Sequence, residues 1–451
     1  MKTLGIIAEY NPFHNGHSYQ IQKAREISHS DCVIIAMSGN FVQRGAPAFL
    51  DKYTRTAMAL KNGADFVFEI PSVFATSSAE YFAAAGIGIL DALGCVDMVS
   101  FGCETPDLRL MTCLADILTE EPDAYKMILF SLLKKGLSFP AARKQAVTSY
   151  LKENTDHFGC IFEDAAILLD SPNNILALEY LKAINRSRSR LRPLPILRKG
   201  AGYHDPHLQQ EFCSATAIRS RLLAESFDAL HSSNRAKTSF HTMPKSGLTT
   251  FSLTTQPQSD LAGILSCYVP EYTAAQLLAP DTHFLTEQDF SEILYYKLLC
   301  EREKGFTEYA DCSVELSNRI LNILPSFLDY RGFCERLKSR EMTYSRISRV
   351  LLHILLQITQ ADLEAKNTCG PAPYLRLLGF RRDAAKLFGE IKMHARRPLI
   401  TKPSKADGLL TMEALSVFRK DVFSSDLYYG MLARKSGKEQ KTELRREMII
   451  L

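Results

Sequence analysis

Along the first hundred residues, short apolar runs alternate with longer amphipathic stretches. Leu4-Gly5-Ile6-Ile7-Ala8 is continuously apolar, the pattern of a strand buried on both faces. From Gly16 to Ser28, Ile21, Ala24 and Ile27 recur at three-residue steps and predict a helix. Cys32 to Met37 predicts a second strand, and Asp51 to Lys61 a second helix ended by Asn62-Gly63. Phe66 to Ile70, closed by Pro71, is a third strand; Val96 to Phe101 is a fourth. Between them Ser78 to Leu93 is Ala-rich and reads as helix despite Gly86 and Gly88. Strands about 30 residues apart with helices between them make βαβ units, so the fold class is α/β with a parallel sheet.

Beyond about residue 110 the pattern becomes helical, with one late strand expected at Leu194 to Leu197. Residues 232 to 258, rich in Ser, Thr, Gln, Pro and Lys, read as a linker or long loop. Helices follow at Ser291 to Arg302, Ser313 to Leu324 and Tyr344 to Thr359, and a mixed-charge tail runs from Arg434 to Glu447. At 451 residues the chain exceeds one ordinary core, so two or three domains are expected. The division read here is 1–230 for an α/β catalytic domain and 231–451 for a mainly helical region.

The net charge of +4, from 54 basic and 50 acidic groups, is too small to decide for or against a nucleic-acid partner. Clusters must decide that. The 11 cysteines contain no Cys-x-x-Cys pair, which fits neither a zinc ribbon nor a disulfide framework and points to free thiols in a reducing cytoplasm. The apolar run Leu4 to Ala8 is too short for a signal-peptide core, and no stretch approaches the roughly 20 apolar residues of a membrane span.

The strongest chemistry follows the first strand: Glu9-Tyr10-Asn11-Pro12-Phe13-His14-Asn15-Gly16-His17, running straight into a helix. Ligands of open parallel sheets bind beyond the carboxyl ends of strands, where a helix N-terminus favours phosphate. His14 and His17 are placed to stabilise charge on a phosphoryl group in transfer, and Gly16 to let the backbone approach a nucleotide. The blander readings are a His-x-x-His metal pair, helix-capping histidines and a plain Asn11-Pro12 turn. No third metal ligand is near, and no metal site is assigned.

His14-Asn15-Gly16-His17 resembles the His-x-Gly-His signature of the nucleotidyltransferase superfamily, related to class I aminoacyl-tRNA synthetases. Ser214-Ala215-Thr216-Ala217-Ile218-Arg219 matches its second signature, Ser-x-Thr-x-x-Arg. The resemblance implies a Rossmann-like nucleotidyltransferase domain. It is closer still to one family, the tRNA(Met) cytidine acetate ligases. It rests on Ala8 to His17, on Ser38-Gly39-Asn40-Phe41-Val42-Gln43-Arg44-Gly45, and on Phe101-Gly102-Cys103-Glu104. It continues in Ser171-Pro172-Asn173-Asn174-Ile175-Leu176, Arg198-Lys199-Gly200-Ala201-Gly202-Tyr203-His204-Asp205 and Thr343-Tyr344-Ser345-Arg346-Ile347-Ser348-Arg349. Two stretches depart from the family pattern: the unusually basic Arg186 to Arg192, and the tail after about 430, which looks like an extension.

What the resemblance implies is a ligase that joins acetate to N4 of the wobble cytidine of elongator tRNA(Met). ATP becomes AMP and pyrophosphate through an acetyl-adenylate, and Mg²⁺ is an expected helper. It places ATP on Ile7, Ala8, Glu9, Tyr10, Asn11, Pro12, Phe13, His14, Asn15, Gly16, His17, Ser18, Tyr19 and Gln20, with Gly102, Asn173 and Arg198. His14, His17 and Arg219 are the catalytic candidates, aiding pyrophosphate departure. The alternative is a small-molecule adenylyltransferase, which needs no large basic second region. For RNA, Arg331, Arg336, Lys338, Arg340, Arg346 and Arg349 cluster around Phe333 and Tyr344; Arg346 and Arg349 are the residues chosen. Arg186, Arg188, Arg190 and Arg192 form a second basic run.

Overall fold

The computed structural model describes residues 1–155, 162–198, 213–224, 261–339 and 341–451. The expected linker at 232–258, the segment Lys199 to Asp205 and Arg340 lie outside the described residues. The strands are β1 (Thr3–Ala8), β2 (Cys32–Ser38), β3 (Phe41–Val42), β4 (Ala46–Pro47), β5 (Phe66–Ile70), β6 (Met98–Cys103), β7 (Arg192–Leu197), β8 (Leu375–Phe380), β9 (Leu399–Ile400) and β10 (Ile449–Ile450). Eight of them form one sheet in the order β10-β8-β5-β2-β1-β6-β7, with β9 on β8. The pairs β5-β2, β2-β1, β1-β6 and β6-β7 are parallel, as the spacing predicts.

Chain order runs outward from β1 in both directions, to β2 and β5 on one side and to β6 and β7 on the other. The crevice at the carboxyl ends of β1 and β6 is therefore the topological switch point, where such sheets bind ligands. Helix α1 (Asn15–Ser28) starts there, and helix α2 (Lys52–Lys61) returns from β2, its first turn capped by the Asp51 carboxylate at 2.9 Å from Tyr53 N. On α1, Ile21 and Ala24 are buried as expected, but Ile27 is 50% exposed and Ser28 takes the inner position. Ser28 lies seven residues, two turns, beyond Ile21; the three-residue steps drift off the face.

Strand β6 begins two residues later than the pattern suggests. Asp97 is held outside the strand by its carboxylate, which accepts from Thr3 N at 2.7 Å. Gly102 consequently lies within β6, opposite Ile196, and not just past its end. The basic run also changes meaning. Arg192 pairs with Met98 at the starting end of β6 and β7, on the edge of the sheet opposite the crevice. Arg186 there is ion-paired with Glu80, and Arg188 closes its helix in the left-handed region.

The C-terminal half is mainly helical, yet it also supplies three strands of the central sheet. β8 lies antiparallel to β5, and β10 runs parallel to β8. Residues on both sides of position 230 thus build the one sheet and the one hydrophobic core, which runs from Leu4 to Tyr429. Nor is the tail a loose extension. Helix Met412–Ser436 carries it inward, and Glu443 ends 1% exposed in a charge cluster. There Lys52 Nζ lies 2.7 Å from Glu69 Oε1 and 2.9 Å from Glu443 Oε1, while Arg376 Nη2 lies 3.4 Å from Glu443 Oε1. Two cations meet two anions, which is what makes burial of all four tolerable. Among the described residues no helix is long and apolar enough to cross a membrane.

Candidate active site

Beyond β1 the chain turns sharply through Tyr10, at φ 48°, and a cis Asn11–Pro12 peptide. Arg55, fully buried, holds this turn. Its guanidinium donates to the carbonyls of Glu9 at 2.6 Å, Ser38 at 3.2 Å and Leu50 at 2.9 Å, and to that of Gly39. The ends of β1 and β2 are thereby tied together by one side chain. Sequence reading passed over Arg55, since a lone Arg in an amphipathic helix gives no sign of what it binds.

The histidines are helix caps and candidate catalytic groups at once. His14 Nδ1 accepts from Gly16 N at 3.1 Å, and His17 Nδ1 accepts from His14 N at 3.2 Å. The two rings stack with centroids 3.7 Å apart. Burial, with Arg198 and Arg219 nearby, lowers the His14 pKa to about 3; burial, His14 and Arg198 lower that of His17 well below the ordinary value. Both imidazoles are therefore neutral at physiological pH. Because each Nδ1 accepts a backbone proton, each ring carries its own proton on Nε2. The pair offers two fixed N–H donors and no positive charge.

Gly16 serves this arrangement by absence. A Cβ there would stand 2.9 Å from His14 Cε1, so the space it leaves belongs to the His14 ring. Asn15 anchors the helix start across the molecule, its side chain donating to Cys267 O at 3.0 Å and its N–H to Tyr268 O at 2.9 Å. Phe13 is fully buried core. Glu9 turns its carboxylate to Gln43 N at 2.8 Å, linking β1 to the β3–β4 hairpin.

The second signature arrives opposite the first. Ser214 caps the helix at 215–224, its hydroxyl 3.1 Å from Ala217 N. Arg219 then reaches back to donate to Asn11 O at 2.6 Å. The third wall comes from β6, β7 and the helix Pro172–Ser187. Arg198 N donates to Cys103 O at 3.0 Å, and a Cβ on Gly102 would lie 3.2 Å from Arg198 Cγ. Asn173 Nδ2 lies 2.5 Å from Glu104 Oε1, and the buried Asn174 accepts from Glu104 N at 2.9 Å. Glu104 thus positions Asn173, a role its place in the Phe101 to Glu104 motif did not reveal.

One cavity of about 350 Å³ gathers these groups. Its wall includes Ile7, Ala8, Glu9, Tyr10, Asn11, His14, His17, Gln20, Gly102, Asn173, Arg198 and Arg219. Gly16 and Tyr19 line a small annex of about 40 Å³ beside it, while Pro12, Phe13, Asn15 and Ser18 line neither. The basic cluster of the C-terminal half divides. Arg331 lines the cavity, whereas Arg349 is 18% exposed and faces Asp311 at 3.9 Å. Phe333 is 1% exposed against Phe327 and is core, not a stacking platform. Among the described residues no group of three His, Cys, Asp or Glu is placed to hold a metal ion.

The family model for the HIGH nucleotidyl transferases matches residues 1–443. The chain is 34% identical over 444 residues to the tRNA(Met) cytidine acetate ligase of Halothermothrix orenii, covering 95% of this chain and 94% of that one. It is 36% identical over 434 residues to the same enzyme of Thermoanaerobacter sp. (strain X514), covering 95% of each. A crystal structure of Thermotoga maritima TmcAL bound with alpha-thio ATP superimposes with a TM-score of 0.82 at 30% identity, and the apo form with 0.85, each covering 100% of both chains. The chain belongs to the tRNA(Met) cytidine acetate ligase family, within the HIGH nucleotidyltransferases.

Proposed function

We propose that this chain activates acetate with ATP and transfers the acetyl group to N4 of the wobble cytidine of elongator tRNA(Met), in the cytoplasm. The observation that carries the proposal is the neutral His14–His17 pair, with both Nε2–H groups available beside Arg198 and Arg219 in one cavity past β1. Acetate is an unreactive carboxylate and the cytosine amine a weak nucleophile, so a mixed anhydride must come between them. A carboxylate oxygen attacks the α-phosphorus and pyrophosphate leaves. N4 then attacks the acyl carbon, AMP leaves, and N4 gives up a proton.

On this reading ATP lies along Ile7 to Gln20, with Gly102, Asn173 and Arg198. The imidazoles donate hydrogen bonds to the phosphates while the two guanidinium groups carry the positive charge. That division of labour suits a departing pyrophosphate, whose charge grows during reaction and is best met by donors fixed beforehand. Among the described residues no group of three His, Cys, Asp or Glu stands together to hold Mg²⁺, and no step is assigned to the ion. Residues 231–451 hold the tRNA on this reading, joined through the common sheet to the part that binds ATP.

The test is ATP–pyrophosphate exchange, with and without acetate, followed by transfer of labelled acetate to tRNA(Met). Exchange should require acetate, and the label should survive as N4-acetylcytidine on nuclease digestion. Exchange at full rate without any carboxylate would rule out acetate activation.

A further inference from the structure

The cavity continues past the ATP motif. Its wall also includes Val42, Pro47, Phe49 and Leu285, together with Arg44 and Arg331, one from each half of the chain. For N4 to reach an acyl group beside the α-phosphate, the acceptor base must lie inside this cavity. The phosphates on either side of that nucleotide must then lie at its mouth.

The two arginines are mounted on one buried junction. Arg44 precedes Gly45, which has φ +76° and packs so closely on the helix Tyr344–Leu356 that a Cβ would stand 2.3 Å from Arg349 N. The Gly45 carbonyl accepts from Ser348 Oγ at 2.8 Å and lies 3.4 Å from the Tyr330 hydroxyl, which also donates to Ser348 O at 3.0 Å. Tyr330 is fully buried, and Arg331 is the next residue. The Arg331 N–H is fixed on Gln288 Oε1 at 3.2 Å, while its guanidinium is 67% exposed and 3.3 Å from Glu287 Oε1. The backbone that carries the two arms is thus held in place before RNA arrives, which removes part of the ordering cost of binding.

We propose that Arg44 and Arg331 clamp the backbone phosphates flanking the nucleotide that receives the acetyl group, with Glu287 holding Arg331 until RNA displaces it. The proposal rests on the reading that the acceptor is an RNA nucleotide. It moves the principal RNA contact from Arg346 and Arg349, the second of which faces Asp311, to the cavity that Arg44 and Arg331 line. Guanidinium suits the role because its planar fork meets phosphate oxygens in pairs.

The experiment measures binding of a tRNA(Met) transcript to the full chain over a series of salt concentrations, without acetate. Arg44→Gln and Arg331→Gln should each weaken binding by about tenfold and lower the salt slope by about 0.7, with about 1.4 for the double variant. Arg331→Lys should restore the slope, since it restores the charge. Glu287→Gln removes the competing carboxylate and should tighten binding a few-fold, a gain that misfolding cannot produce. Unchanged slopes in the glutamine variants, or unchanged or weaker binding by Glu287→Gln, would overturn the clamp. So would an equal loss of ATP affinity in the arginine variants. Because no acetate is present, failure here is separate from failure of the exchange assay.

Discussion

At the scale of the residue, His14 and His17 show how a structural bond fixes a chemical property. Capping the helix consumes each Nδ1, and this sends the proton to Nε2. Burial lowers both pKa values, so the unfolded chain, with histidines near 6.5, binds protons that the native state refuses. Stability from these groups is fully present above about pH 6.5 and declines as pH falls below it, for His14 down to about pH 3, by up to about 1.4 kcal/mol per pH unit for each histidine. Urea unfolding at pH 7.5 and pH 5 should therefore show a smaller acid loss for His17→Gln than for the parent. An equal loss would mean that His17 is charged in the folded protein. At pH 7.5, His17→Ala should slow acetate-dependent exchange by roughly 10²-fold, the usual cost of one preorganised donor.

At the scale of the element, the β6–β7 pair supplies one wall of the cavity. Gly102 faces Arg198 closely enough that Gly102→Val must displace that side chain, while the register with Ile196 stays. ATP affinity should fall by about tenfold or more, with tRNA affinity nearly unchanged and the melting curve close to that of the parent. Arg198→Ala, and the two changes combined, separate the causes. If Gly102 acts only through Arg198, the double variant binds ATP no worse than Arg198→Ala. If the losses add, the adenosine itself lies against Gly102. A titration in which Gly102→Val binds ATP as tightly as the parent would remove Gly102 from the site.

At the scale of the whole molecule, the tail and the catalytic half share one buried charge cluster. Glu443 faces Lys52, Arg376 and the Tyr53 hydroxyl, at 2.9, 3.4 and 3.1 Å. Glu443→Gln removes one anion from a balanced set of four and leaves excess positive charge in the core. It should cost about 3–5 kcal/mol of unfolding free energy, read from the urea midpoint. Because β8 and β10 belong to the same sheet as β1, tryptophan probes introduced at exposed sites in each half should report one transition. Two separated transitions would show that the C-terminal region folds apart.

The linear chain determined the parallel half of the sheet, because each βαβ unit carries its apolar periods and its turn residues locally. It also marked the candidate site, since His14, Asn15, Gly16 and His17 are contiguous and follow a strand. It did not disclose β8: Leu375 to Phe380 is a short apolar run interrupted by Arg376, and a buried arginine reads as surface until Glu443 is beside it. Nor did spacing show that Phe333 is core, that Arg349 faces Asp311, or that Arg44 and Arg331 line one cavity. Those facts depend on which side chains the folded backbone brings together, at separations from a few residues to most of the chain. Whether a charged side chain is buried, paired or turned to a ligand depends on what packs against it, and only the tertiary structure decides that.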